Sequence, residues 1–99
     1  IALVDGKPVG AASLVEHDMD VHKELTPWLA GVYVDPPFRN QDVASGLVKQ
    51  VCVKAREIGF ERIYLYTISA YGLYAQLGWS LYLEEKYHDR PVKIMAQDL

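Results

Sequence analysis

With a single cysteine, Cys52, the chain has no means of closing an internal disulfide, which fits a reducing, cytoplasmic compartment. Positive charge is also scarce: 10 Lys and Arg stand against 13 Asp and Glu, a net charge of −3. That balance argues against broad electrostatic binding to nucleic acid or to an anionic membrane surface. No apolar run is long enough for a transmembrane helix, and no signal-peptide pattern is present. Internal repeats and low-complexity segments are absent as well. What remains is 99 residues, 51% of them hydrophobic, enough for one domain (1–99) with one core. The sequence opens on Ile1, already inside a strand-like run and without an initiator methionine, which reads as the loss of an N-terminal portion.

Strand and helix signals alternate along the chain. Ile1–Val4 reads as a short strand, Asp5-Gly6-Lys7 as its turn, and Val9–Val15 as the returning strand. Glu16 to Pro27 is polar and reads as a solvated loop. Trp28–Val34 is apolar on both faces, as in a strand buried in a sheet, and Gly31 marks a bulge or a close approach within it. From Asp42 to Ile58, apolar Val43, Leu47, Val48, Val51, Ala55 and Ile58 recur at helical spacing, and Gly59 closes the helix. Glu61–Ile68 is a β-branched and aromatic strand, so strand, helix and strand follow one another as a βαβ-like unit. Ser69–Leu77 reads as a short helix ended by Gly78. Two further strands, Trp79–Glu84 and Val92–Met95, form an antiparallel pair joined through Tyr87–Pro91. The fold class is therefore mixed α/β.

Two stretches carry chemistry. In the first, Val34-Asp35-Pro36-Pro37-Phe38-Arg39-Asn40-Gln41-Asp42-Val43-Ala44, a strand turns through prolines into the start of a helix. Such a junction leaves backbone N–H groups without intrahelical partners, and the helix dipole adds to their attraction for a phosphate. The segment resembles the acyl-CoA pyrophosphate loop of the GNAT superfamily of N-acyltransferases, where a strand ending V-x-P leads into [Q/R]-x-x-G-x-[G/A]. Arg39 and Ala44 match the first and last positions, and Asp42 stands at the central glycine. In the second stretch, Tyr74, Gly78 and Trp79 match the family's Y-x-x-x-G-[F/W] on a short helix. The closing Val92–Met95 is similar to the family's final strand. The resemblance implies a GNAT-like mixed sheet that begins at the family's second strand, without the first strand and first two helices. An acceptor site built without those helices is open or is completed by a partner chain.

The resemblance also implies roles. Backbone donors around Val32 and Val34 bind the pantetheine arm of acetyl-CoA and polarise its carbonyl. Arg39, Asn40, Gln41, Asp42, Val43, Ala44 and Ser45 hold the pyrophosphate at the helix start. Tyr74 protonates the departing thiolate, which requires a lowered phenol pKa or a short hydrogen bond, since a phenol near ~10 is a weaker acid than a thiol near ~8.5. No residue is assigned as general base, and no metal is implied. The function implied is N-acetyl transfer from acetyl-CoA to a primary amine of a small molecule or peptide by direct attack.

Each of these residues has a plainer reading. Asp42 is a favoured helix N-cap, yet a carboxylate about 4 Å from a phosphate costs on the order of a few kcal/mol at an effective dielectric near 20. On that ground the rival function is a non-catalytic binding or dimerisation module that has lost CoA binding through Asp42. A third reading is a structural half that pairs with a second copy through the exposed sheet edge left by the missing N-terminal elements. Tyr74 is one of seven tyrosines and reads equally as a core residue with its hydroxyl at the rim. His17, Asp18, Asp20 and His22 read as a solvated loop and not as a metal cluster. Cys52, on the apolar side of the long helix, reads as a small hydrophobe. Tyr64, Tyr66, Tyr71, Tyr82 and Tyr87 read as sheet and rim aromatics.

Overall fold

The computed structural model describes residues 2–4, 6–39 and 42–99. Ile1 and Asp5 of the expected first hairpin, and Asn40 and Gln41 of the expected anion loop, lie outside the described residues. The described elements run β1 (Ala2–Val4), β2 (Lys7–Val15), β3 (Trp28–Val34), α1 (Val43–Ile58), β4 (Arg62–Thr67), α2 (Tyr71–Gln76), β5 (Ser80–Tyr87) and β6 (Arg90–Asp98). The strands form one sheet in the order β1-β2-β3-β4-β6-β5. All neighbours are antiparallel except β3 and β4, the parallel pair that α1 connects.

Period-2 alternation in the inner strands feeds two cores, one on each face. On the helical face, Ile63 and Leu65 of β4 and Met95 of β6 meet Val48, Val51 and Ala55 of α1, with Tyr74 and Trp79 beside them. On the other face, Tyr64 of β4 and Val92, Ile94 and Ala96 of β6 meet Trp28, Met19 and Leu25. Helix α1 forms because Leu47, Val48, Val51 and Ala55 make one buried stripe. It stops at Gly59, whose φ of 116° lets its N–H reach back to the Ala55 and Arg56 carbonyls. The helix lies close on β2: a Cβ at Gly10 would stand 2.7 Å from the Tyr33 carbonyl oxygen and 3.1 Å from Leu47 Cδ1.

Three local expectations change. The β5–β6 hairpin is longer and tighter than the pattern implied, turning on His88 and Asp89 alone. Both have positive φ (48° and 64°), the requirement of a two-residue turn whose twist matches the strands. Charged residues on the edge strand β5 had obscured its length. The segment from Glu16 to Pro27 is not simply a solvated loop, because Met19 (5% exposed) and Leu25 (7%) fill the second core. Burying two such side chains contributes about 2 kcal/mol each, more than exposed ion pairs of at most about 1 kcal/mol can supply. Asp42 sits at the N-cap position of α1 but makes no side-chain cap hydrogen bond. Its φ and ψ of 60° and 18° are left-handed, whereas a capping side chain reaches the first turn from the extended region.

Candidate active site

The site begins where the sheet opens. β3 and β4 are in register only at Trp28 and Tyr64. Beyond that pair the strands part, and the edges facing one another have no ladder partner. β3 also carries an extra residue relative to β2: Ala30 pairs with Ser13, yet Tyr33 pairs with Ala11. The bulge falls at Gly31 and Val32, and Gly31 takes the left-handed φ of 63° that a glycine-led bulge requires, as its place in the strand pattern foretold.

The opening is a cleft of about 340 Å³. Its walls combine Leu29, Val32, Leu65 and Tyr74 from the helical face with Tyr66 and Asp18 from the loop face. Side chains from both faces of the sheet thus line the cleft, which gives it a helical side and a loop side. Tyr74 is buried at 9% exposure and packs edge-on to Trp79 at 6.1 Å. Burial pushes its phenol above the ordinary value, against the lowered pKa that sequence reasoning required. The hydroxyl therefore stays loaded with its proton across the neutral range.

A second hollow, of about 290 Å³, lies on the helical side at the junction of β3 and α1. Val34, Arg39, Asp42, Val43, Ala44 and Ser45 all line it, with Leu73 of α2 opposite. A 3-10 turn over Pro36–Phe38 redirects the chain here. Asp35 N–H donates to the Val9 carbonyl, and Arg39 Nε donates to the Val34 carbonyl at 3.0 Å, tying the turn to the strand end. The Arg39 guanidinium also lies over the Tyr33 ring at 5.9 Å. The first intrahelical bond of α1 is Gly46 N–H to the Asp42 carbonyl, so the N–H groups of Val43, Ala44 and Ser45 have no partner within the helix. Asp42 supplies the left-handed residue that a glycine supplies most easily, and aspartate tolerates it better than most side chains. Of the expected site residues, Val34, Arg39, Asp42, Val43, Ala44 and Ser45 are brought together here, while Val32 and Tyr74 line the cleft.

The matches with known proteins agree with this architecture. The sequence model of the Acetyltransferase (GNAT) family matches residues 1–79. The chain belongs to the GNAT acetyltransferase family. No match was found among the curated proteins. Among solved structures, this GNAT domain is similar to an aminoglycoside 6′-N-acetyltransferase complexed with coenzyme A, at TM-score 0.80 and 17% identity over 98% of this chain and 69% of that one. It is also similar to a GNAT family acetyltransferase from Elizabethkingia anophelis with acetyl-CoA bound, at TM-score 0.80 and 16% identity over 98% and 72%. An aminoglycoside 6′-acetyltransferase type Ii matches at TM-score 0.82 and 20% identity over 98% and 65%.

Of the cleft residues of the GNAT domain, the sequence does not single out Tyr66 from the other rim tyrosines and gives Asp18 no role. Tyr66 alternates with Leu65 and so points to the loop face, a fact available only once the strand's faces are known. Asp18 belonged to a stretch read as solvent-facing; its one sequence signal is the pair of apolar residues, Met19 and Leu25, set within that polar run. Cys52 packs half-buried against the helical core, and burial pushes its thiol up, which fits a small hydrophobe. Among the described residues, no helix is long and apolar enough to cross a membrane.

Proposed function

We propose that this chain is an N-acetyltransferase that moves an acetyl group from acetyl-CoA to a primary amine of a small molecule or peptide by direct attack. The observation that carries this reading is the cleft between β3 and β4, which holds Tyr74, together with a hollow at the start of α1 where the same strand β3 ends. Acetyl-CoA supplies the activated thioester. The N–H groups of Val43, Ala44 and Ser45, which have no partner within the helix, bind its pyrophosphate with Arg39. The backbone of Val32 and Val34, at the parted edge of β3, binds the pantetheine arm and the carbonyl oxygen. Tyr74 gives its proton to the sulfur as the carbon–sulfur bond breaks, and the attacking nitrogen releases its proton toward solvent through the open cleft. Because burial raises the phenol, transfer to a thiolate is uphill, so the step needs a short hydrogen bond from the Tyr74 hydroxyl to the sulfur on which negative charge grows.

The left-handed backbone of Asp42 supports binding over loss of the cofactor, since the turn geometry of a glycine is kept. We place the protein in the cytoplasm, on the strength of its single cysteine. The open edge strand β5, with Leu81, Tyr82 and Leu83 exposed, supports pairing with a second copy, which light scattering at high concentration reads directly. Calorimetric titration with acetyl-CoA and with CoA tests the central reading. Micromolar binding of both, followed by acetylation in an amine screen that collapses in Tyr74→Phe, is the expected result. No binding at millimolar ligand would leave the fold as a non-catalytic module.

A further inference from the structure

Glu16, Asp20, Glu24, Glu84 and Glu85 each have a basic side chain within reach, and Asp18 of the same loop does not. Glu16 lies 3.5 Å from His17, Glu24 lies 3.8 Å from His22, and Asp20 lies 3.7 Å from His88. Glu85 pairs with His22, and Glu84 with Lys93 at 3.5 Å. Asp18 alone in this group has no hydrogen-bond or ion-pair partner among the described residues, and it is the acid that lines the cleft. Its position is fixed from both sides of the chain. Met19 is buried in the second core, Asp20 N–H donates to the Tyr87 hydroxyl at 3.1 Å, and Thr26 Oγ1 donates to the Glu16 carbonyl to close the loop's base. The electrostatic environment agrees with a carboxylate held short of water. Burial pushes the Asp18 carboxyl up, and its charge helps to raise the Tyr66 phenol beside it.

Resting on the acetyl-transfer reading, the two sides of the cleft divide the substrates. The donor occupies the helical side, so the acceptor must come from the loop side, where Asp18 and the Tyr66 ring form the wall. We infer that Asp18 is the acceptor-binding residue of this enzyme, and that it selects amines that arrive as cations. An unpaired, partly desolvated carboxylate gains most from an ammonium that brings its own hydrogen bonds. The acceptor class is therefore a primary amine that carries a second, cationic nitrogen and no neighbouring carboxylate, as in a diamine: Asp18 holds one nitrogen as the ammonium while the other gives its proton to solvent and attacks the thioester carbon. Arylamines, neutral at pH 7, and amino acids whose own carboxylate would meet Asp18 are disfavoured. Asp18 acts here as a binding and positioning group; it takes no proton from the acceptor.

The experiment measures equilibrium binding of 1,4-diaminobutane by NMR titration of the wild-type chain, Asp18→Asn and Asp18→Glu, with acetyl-CoA affinity measured in parallel. Asp18→Asn keeps the shape, and its melting temperature reports that it folds. The expected result is diamine binding that weakens about 10- to 100-fold in Asp18→Asn, is partly rescued in Asp18→Glu, and leaves acetyl-CoA affinity unchanged. In turnover, KM for the diamine rises by a like factor while KM for an arylamine does not move. Equal diamine binding by wild type and Asp18→Asn, or none by wild type, overturns the inference. Asp18-dependent diamine binding without any acetyl-CoA binding would sustain the cation site and remove the acetyl-transfer reading instead.

Discussion

In the proposed reaction the working groups on the helical side are main-chain: the N–H groups at the start of α1, the bulged backbone of β3, and a turn tied by Arg39 to the Val34 carbonyl. On the loop side they are side chains, Asp18 and Tyr66, held there by contacts across some 60 residues of sequence such as His22 to Glu85 and Asp20 to Tyr87. The first construction tolerates sequence change provided the backbone path is kept, which is how Asp42 stands in a left-handed position without breaking the turn. The second depends on the identity of single residues. A fold built this way keeps one side constant for a common donor and leaves the other free to vary with the acceptor.

Tyr74 lines the cleft itself, and its replacement carries the largest expected effect. Tyr74→Phe should lower kcat about 10²-fold with acetyl-CoA affinity unchanged, as measured by steady-state kinetics beside calorimetry. The phenol must hold its proton to act, and burial raises its pKa. Activity should therefore persist through neutral pH and fall only beyond the ordinary phenol range, and the phenylalanine variant should lack that basic limb. An unchanged kcat would move the proton donor elsewhere.

The helical side can be broken through its backbone. Gly10→Ala drives a Cβ against the Tyr33 carbonyl and Leu47 beneath the start of α1, and should destabilise the fold by about 1–3 kcal/mol. In thermal melting each kcal/mol lowers Tm by about 4–8 °C for a domain of this size. A variant that melts with wild type would mean that α1 rides farther from β2 than the packing indicates.

Charge sharpens the same side. Asp42→Gly should tighten acetyl-CoA about 10-fold by removing a carboxylate from the pyrophosphate hollow, and relief of the left-handed strain adds up to about 1 kcal/mol of stability. Asp42→Asn keeps the backbone preference and removes the charge, so it should capture most of the affinity gain and little of the stability. If neither variant alters the calorimetric Kd, the Asp42 side chain turns away from the bound phosphates.

The smallest effect belongs to the loop side. Tyr87→Phe removes the acceptor for Asp20 N–H and loosens the segment that carries Asp18. A rise of about 2- to 5-fold in KM for an alkyl diamine, with KM for acetyl-CoA constant and stability lowered by about 1 kcal/mol or less, is the expected pattern. Parallel changes in both KM values would show that the two sides are not independent.

The contrast also explains what could be read in advance. The helix over Val43–Ile58, the bulge at Gly31 and the order of strands follow from periodicity and from glycine placement, which are local properties of the chain. The β5–β6 turn was misjudged because two non-glycine residues, His88 and Asp89, take positive φ there, and no local composition rule singles them out. The Asp42 cap was misjudged for a related reason: its residue type favours a cap, yet the chain path from the proline turn into α1 sets a left-handed backbone instead. The polar segment before β3 looked solvated because a single-residue reading weighs Met19 and Leu25 less than the acids around them.

By itself, then, the sequence determined the mixed α/β class, the βαβ-like core and the helix start facing a proline turn, because hydrophobic period and turn chemistry act over a few residues. The tertiary structure alone decided that β3 and β4 part beyond Trp28 and Tyr64, that Tyr74 is buried with its phenol raised, and that Asp18 enters the cleft unpaired. Those outcomes depend on which distant side chains share a face and how water is excluded between them. Only the packed sheet brings Asp18, Tyr66 and Tyr74 to one opening.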